Sequence, residues 1–176
     1  MKMRRHFQLG FSMIEVLVTL VIMAGGALGL AGMQIASIKY NAEASVRSKA
    51  TLLAIELSDR MRANMAGVKA TNYDRNLGYA AALAAAVAAP GCGSTSDCTA
   101  ATMAQLDLNS WLDSIGKALP GGTGAVVPVA VANGAYARNI VVMWKEKSLN
   151  DSGATDPFCT LNAVAGVRCY QTTFMP

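Results

Sequence analysis

Residues 10–38 read GFSMIEVLVTLVIMAGGALGLAGMQIASI, and this stretch decides the fold of the chain. The part from Val16 to Ile38 contains no charged side chain. Because a helix of about 20 apolar residues spans a bilayer, this part is long enough to cross one. It exceeds the apolar core of a secretory signal peptide, which runs to about 7–15 residues, and no convincing small-residue cleavage site follows it. The sequence therefore predicts a permanent membrane anchor.

The excess positive charge lies ahead of this anchor. The 176 residues carry 15 Lys and Arg against 11 Asp and Glu. Lys2, Arg4 and Arg5 fall within the first ten residues, which leaves 12 basic against 11 acidic residues in the rest. The positive-inside rule predicts a cytoplasmic leader and places residues beyond ~40 outside the cytoplasm. A nearly neutral remainder with scattered basic residues argues against nucleic acid as a partner.

Glu15 is an anomalous carboxylate near the start of an apolar helix, and alone it would be interpreted as facing lipid headgroups. Its neighbours change that interpretation. Gly10-Phe11-Ser12-Met13-Ile14-Glu15 resembles the cleavage and methylation signature of type IV pilins and type II secretion pseudopilins. The signature has a small residue before the cut, Phe first after it and Glu fifth after it. A basic leader precedes it and a long apolar helix follows it.

The resemblance implies how the chain is processed and assembled. A prepilin peptidase in the membrane would cut between Gly10 and Phe11 on the cytoplasmic side and would N-methylate Phe11. The new α-amine and Glu15 of neighbouring subunits would pair in the filament core, which would offset the burial of both charges. The chain would be the substrate of that peptidase and not itself an enzyme.

An amphipathic helix is predicted to continue beyond the anchor. Its apolar stripe recurs every three or four residues, and it consists of Val46, Ala50, Leu53, Leu57, Met61 and Met65. Gly67 is the expected stop. The chain is thereby divided into a prepilin leader over residues 1–10, a transmembrane or filament-core helix over 11–38, its amphipathic continuation over 39–66, and a periplasmic globular head over 67–176.

The predicted fold class is α+β and pilin-like, with the long N-terminal helix packed on a small antiparallel sheet. Apolar periodicity predicts a helix over Thr102–Ala118. The alanine-rich stretch Tyr79–Ala89 is either a helix or a loose loop, and a helix is favoured. Strands are expected in Ala125–Ala132, Ile140–Lys145 and Val167–Phe174. We expect these strands to form a sheet of three or four strands against the amphipathic half of the long helix.

Four cysteines, Cys92, Cys98, Cys159 and Cys169, all follow the anchor. Two disulfides are expected in an oxidising compartment, with three possible pairings. Pairing of nearest neighbours, Cys92–Cys98 and Cys159–Cys169, is favoured because it needs no long-range rearrangement. The second pair also resembles the disulfide-bounded C-terminal region of pilins, which in that family often faces partners.

No metal, cofactor or small-molecule substrate is expected. The one histidine, His6, lies in the leader, so the rest of the chain lacks a histidine for catalysis or for most zinc sites. The stretch from Asn150 to Gly153, with Asp156 nearby, has the look of a calcium loop. It lacks EF-hand spacing and enough carboxylates, so a polar turn is the favoured interpretation.

The stretch from Leu57 to Asn64, followed by Gly67, is similar to a segment of the PilV group of minor pilins. Its charged residues Asp59, Arg60 and Arg62 are either a subunit-contact patch or a solvated helix face. The resemblance implies a minor pilin that primes assembly of the type IV pilus. Its head would be periplasmic on an inner-membrane anchor, and it would support a tip complex for adhesion and twitching motility.

The expected partners are other minor pilins, the major pilin and a tip adhesin, besides the peptidase and the inner membrane. The alternative is a minor pseudopilin of a type II secretion system, which shares the N-terminal signature. A membrane-anchored enzyme and a DNA-uptake pilin are less favoured, because the sequence shows neither a catalytic constellation nor a basic cluster.

Overall fold

The computed structural model describes residues 10–85, 91–92, 98–130, 136–161 and 163–176. Two compact units meet in sequence between Ala42 and Glu43, and helix α1 contributes to both. Within the described residues the helices are α1 Met13–Ala63, α2 Met65–Lys69, α3 Tyr79–Ala84, α4 Ala100–Ala118 and α5 Lys147–Ser152. The strands are β1 Thr123–Pro128, β2 Arg138–Lys145 and β3 Val167–Phe174. The predicted α+β class, a long N-terminal helix with a small antiparallel sheet, is confirmed.

The sheet of the second unit has the order β1-β2-β3, and both pairs of strands are antiparallel. Val142 of β2 lies opposite Gly124 of β1 and Tyr170 of β3. Successive side chains of a strand point to opposite faces of the sheet. Because nearly all side chains of β2 are buried, the sheet is covered on both faces at this strand. The sheet therefore needs cover on each face.

The first face of the sheet packs on helices α1 and α4, as the apolar stripe of the long helix predicts. Ile140, Val142 and Trp144 of β2 share one core with Leu57 and Trp111. The rest of this core consists mainly of Ala50, Leu53, Ala54, Met61, Val68, Tyr73, Ala104, Leu108, Ile115, Leu119, Val126 and Phe174.

The second face packs on a smaller core. Val141 and Met143 of β2 lie against Tyr79 of α3 and the Cys159–Cys169 disulfide. The sequence predicted cover for only one face, because neither the short helix α3 nor the disulfide carries a long apolar period.

Trp111 of α4 ties three elements together. Its indole Nε1 donates a hydrogen bond to the backbone carbonyl of Leu53 on α1, at 2.8 Å. Its ring lies against Gly124 of β1, where an added Cβ would come within 2.3 Å of the ring. Only glycine fits at that position, since real Cβ contacts are never so close. Trp111 is fully buried in the core of the head.

The end of the long helix differs from the prediction. Helix α1 ends at Ala63, and Asn64 accepts the N–H of Gly67 (3.2 Å) as the cap of a further short helix, α2. Gly67 lies inside α2 and does not stop a helix. It is required because an added Cβ would lie 2.6 Å from Asn64 Nδ2 and 3.0 Å from the carbonyl of Ala100. An asparagine that caps the next helix is preferred for its local hydrogen bonds, and no apolar period reveals it.

The remaining boundaries shift by a few residues. Helix α4 begins at Ala100, two residues before its predicted start, because the Thr99 side chain accepts the N–H of Thr102 (3.2 Å). The alanine-rich stretch is helical over Tyr79–Ala84, and residues 86–90 lie outside the described residues. Strand β1 begins at Thr123 and ends at Pro128, which has no N–H to donate; residues 131–135 lie outside the described residues. The expected polar turn at 150–153 is instead the end of α5, closed by Gly153 at φ 65°.

Candidate functional site

The first unit presents an apolar helix surface that its own residues leave uncovered. Every residue from Gly10 to Ala42 is exposed. An 18-residue window of α1 has a mean hydropathy of 2.2 and no buried residue. Among the described residues, α1 is the one helix that is long and apolar enough to cross a membrane. A helix that is apolar on all sides requires lipid or other apolar helices around it, so this surface is an interaction site.

The proposed processing residues lie at the start of this helix. Gly10 and Phe11 precede α1 in non-helical backbone, and Phe11 is 84% exposed. The carbonyl of Ser12 accepts the N–H groups of Glu15 (3.0 Å) and Val16 (3.3 Å), which starts the helix. Glu15 thus falls in the first turn, where a carboxylate is favoured by the helix dipole. The leader, residues 1–9, lies outside the described residues.

The second unit contains the two disulfides that nearest-neighbour pairing predicts. Cys92 is joined to Cys98 with their Cα atoms 5.6 Å apart, and Cys159 is joined to Cys169 at 5.2 Å. The second bond attaches the segment after α5 to strand β3. No free cysteine occurs in the part of the chain that the structure describes.

Asp156 has a structural role in this segment. Its side chain is buried, and its two carboxylate oxygens accept the N–H groups of Phe158 and Cys169, both at 3.1 Å. Arg168 Nη1 lies 3.8 Å away. The carboxylate therefore holds the disulfide segment against β3. Within the described ranges, no three His, Cys, Asp or Glu side chains are grouped as metal ligands would be.

A second ionic contact links β3 to α1. Arg168 pairs with Glu146, which is buried just after β2. Arg47 of α1 approaches the same carboxylate, with Nη2 4.0 Å from Oε1, and its side chain is 56% exposed. Glu146 therefore forms a close ion pair with Arg168, whereas Arg47 lies at the limiting distance of an ion pair.

The three charged residues near the end of α1 have separate roles. Asp59 and Arg62 are well exposed and bond to each other at 2.6 Å, as a solvated helix face would. Arg60 is 29% exposed, donates a hydrogen bond to Glu56 at 2.5 Å, and forms an ion pair with Asp107 of α4 at 3.7 Å. Arg60 therefore belongs to the contact between α1 and α4.

The sequence did not reveal a polar cluster beside that contact. Tyr73 donates its hydroxyl hydrogen to Asp107 (2.5 Å) and accepts from Asn64 Nδ2 (3.2 Å). Burial, reinforced by the bond to Asp107, raises the pKa of Tyr73 well above its ordinary value, so the phenol stays protonated as a donor. Asn64 also donates to the carbonyl of Ala100, at 2.8 Å. These residues are distant in sequence, and no local pattern joins them.

Comparison with known protein families gives a match to a pilin family. Residues 32–109 match the family model Tt1218-like, described as type IV pilin Tt1218, which is a little under half of the chain. No curated protein and no solved structure matches the chain significantly. The match supports a type IV pilin-like protein, a structural class whose members assemble with other pilins. The long apolar helix fits a membrane-anchored component of a pilus.

Proposed function

We propose that this chain is a minor pilin of a type IV pilus and a substrate of prepilin peptidase. The observation that carries the proposal is the uncovered apolar helix surface of residues 13–38 directly behind Gly10-Phe11-Ser12-Met13-Ile14-Glu15. The family match begins at residue 32 and omits this signature, so the signature and the match come from different parts of the chain.

The local structure suits cleavage between Gly10 and Phe11. Both residues are exposed and precede the helix, and among the described residues, the chain neighbours of Gly10 aside, no atom lies within 4 Å of the position of a Cβ at Gly10. Because glycine has no side chain, an extended peptide with glycine at the cleavage site enters a narrow protease site easily. Hydrolysis removes the basic leader and leaves an α-amine on Phe11. The peptidase would then transfer a methyl group to this amine from a sulfonium methyl donor, with release of the demethylated thioether and a proton.

Assembly would pair this new amine with Glu15 of a neighbouring subunit. Glu15 is exposed in the single chain. Among apolar helices in a filament, an unpaired carboxylate costs several kcal/mol, whereas a paired one is compensated. The pairing would therefore select one register between subunits and penalise the others.

The minor role and the tip location rest on the similarity of residues 57–64 to the PilV group. In this proposal the head is periplasmic, where both disulfides form. It contacts other minor pilins, the major pilin and a tip adhesin, and it supports adhesion and twitching motility. A minor pseudopilin of a type II secretion system is the alternative, and the family match to a type IV pilin favours the pilus.

The mass of the intact chain, expressed with and without an active prepilin peptidase, tests the processing step. We expect the loss of residues 1–10 and the gain of one methyl group. Gly10→Leu should stay uncleaved, since its side chain would obstruct the extended backbone. An unchanged mass beside an active peptidase and a processed control pilin would contradict the proposal.

The assembly step is tested with Glu15→Val. This variant should be cleaved normally yet be recovered at least about tenfold less in sheared filaments, because the pairing carboxylate is gone. Glu43→Gln removes another carboxylate from the same helix and serves as the matched control. Normal incorporation of the Glu15→Val chain would refute the pairing.

A further inference from the structure

The two edges of the sheet are closed to different extents. The outer edge of β1 is bridged by Arg75, whose N–H donates to the carbonyl of Val126 (2.8 Å) and whose carbonyl accepts the N–H of Val126 (3.1 Å). The first half of β3 is closed by Asp156 and by the Cys159–Cys169 disulfide. Among the described residues, no comparable contact closes the second half of β3.

The direction of the backbone along β3 follows from one hydrogen bond. Cys169 donates its N–H to Asp156, so this N–H points away from β2. Backbone groups alternate in direction along an antiparallel strand, so those of Gln171 and Thr173 also point away from β2. No described residue accepts the N–H of either residue, and their side chains bond to Thr160 and Asn139 instead. An open row of this kind is a template for another strand.

This open edge runs along a groove of about 860 Å³. The groove touches Tyr170 and Thr172 on one face of β3 and Gln171 and Thr173 on the other, so it straddles the strand. Its volume falls in the range of about 300–1,000 Å³ that ligand sites occupy.

Two walls flank the strand. Arg47 and Thr51 of α1 line one side, and Pro157, Phe158 and Thr160 line the other. Phe158 is 75% exposed although it stands beside the buried disulfide. A strand edge between two walls has the form of a channel for one extended chain.

We propose that this groove binds an extended segment of a partner protein, which adds to the sheet beside β3 at Gln171 and Thr173. The segment would receive main-chain hydrogen bonds from the outward N–H groups and donate to the outward carbonyls. Strand addition takes its affinity from these bonds and its specificity from alternate side chains. This binding involves the head alone and does not depend on whether the chain is a minor pilin.

The charges of the groove define the segment further. Arg168 is paired with the buried Glu146 and lies near Asp156, so its charge is compensated. Arg47 reaches Glu146 only at 4.0 Å and stays 56% exposed. A carboxylate on the segment would find its counter-ion at Arg47. On the other side, an apolar side chain would cover Phe158.

The walls also argue against a second copy of this chain as the occupant. Two copies that paired through β3 would each bring the wall of α1 and the wall at Phe158 to the same edge. We expect these walls to hinder the approach of the two strands to the roughly 4.8 Å at which strands bond. A single extended segment has no such walls and enters freely.

The test uses the full chain in lipid nanodiscs and a displayed library of linear nine-residue peptides, with selection against empty nanodiscs. We expect enriched peptides that alternate apolar and polar residues and carry a carboxylate. Arg47→Gln should weaken these peptides and reduce the salt dependence of their binding. Hydrogen exchange at the N–H groups of Gln171 and Thr173 should slow when a peptide binds.

A matched pair of variants isolates the backbone contribution. Gln171→Ala removes the side chain and keeps the N–H, whereas Gln171→Pro removes both. Proline is tolerated on an edge strand where its nitrogen faces away from the sheet. We expect peptides to bind the proline variant about tenfold more weakly than the alanine variant. Should the proline variant fail to fold, peptides N-methylated at alternate positions replace it, and methylation of the strand-facing positions should abolish binding by the unaltered protein.

Several results would overturn the proposal. They are the absence of any enriched peptide, equal binding to the proline and alanine variants, and protection from exchange outside β3. Dimerisation of the chain that Gln171→Pro abolishes would also overturn it, because a second copy would then be the occupant.

Discussion

Residues 13–42 and residues 43–63 belong to one helix, yet their apolar side chains have opposite fates. The first stretch leaves all of them exposed, including Leu20 and Ile35. The second buries a stripe of Ala50, Leu53, Ala54, Leu57 and Met61 in the core of the head. Helical backbone is common to both, so it does not distinguish them. The difference lies in where the partner surface comes from, which is the same chain for the second stretch and lipid or another chain for the first.

We expect the largest difference in the free energy of unfolding between alanine variants at two leucines of helix α1. Leu57→Ala should lower the free energy of unfolding of the head by about 2–5 kcal/mol, because Leu57 is fully buried. Leu20→Ala should change it by less than about 0.5 kcal/mol, since Leu20 is 58% exposed. Both tryptophans, Trp111 and Trp144, lie in the head, so their fluorescence during urea unfolding in detergent reports on the head alone. Equal losses for the two variants would break the comparison.

An intermediate contrast is expected between two asparagines. Asn64→Ala should lower the free energy of unfolding of the head by about 1–3 kcal/mol, because it removes the cap of α2 and the hydrogen bonds to Tyr73 and Ala100. Asn41→Ala is the matched control. Its side chain makes one exposed bond, to Ser37 at 3.4 Å, and the same fluorescence measurement should show no change. A neutral Asn64→Ala would mean that the polar cluster contributes nothing to the join between α1 and α4.

The smallest effect is expected at the solvated face of the second stretch. Asp59→Asn removes an ion pair with Arg62 in which both side chains are more than half exposed. Surface ion pairs of this kind contribute about 0–1 kcal/mol to stability. The free energy of unfolding should therefore change by less than about 0.5 kcal/mol. A normal unfolding curve together with weaker incorporation into filaments would instead identify Asp59 as a subunit contact.

The elements with a long apolar period could be predicted from the sequence, and those held by single polar contacts could not. Helix α4 and strands β2 and β3 follow their patterns closely, because a buried stripe or alternation must be repeated along the element. The break at Asn64 and the short helix α5 depend on local hydrogen bonds at one or two residues. They leave no period in the sequence.

The candidate sites divide in the same way. The apolar surface and the two disulfide pairs could be predicted, because each depends on composition or on near neighbours. The function of Asp156 could not, since its hydrogen-bond donors include Cys169, 13 residues away. The groove along β3 also required the sheet order, which places β3 at an edge. No pattern within a single strand contains that order.

The exposed apolar stretch of α1 determines the free energy of moving the chain between water, lipid and apolar protein surfaces. Burying one large apolar side chain is worth about 1.5–3 kcal/mol relative to water, and the stretch carries many of them, so transit through water is prohibitive. Lipid tails and apolar protein side chains are solvents of nearly equal quality for such a helix. The free energy of moving the helix from lipid to an apolar protein environment is therefore close to zero. In the proposed assembly, a few specific contacts, with Glu15 foremost, would decide the direction of this transfer.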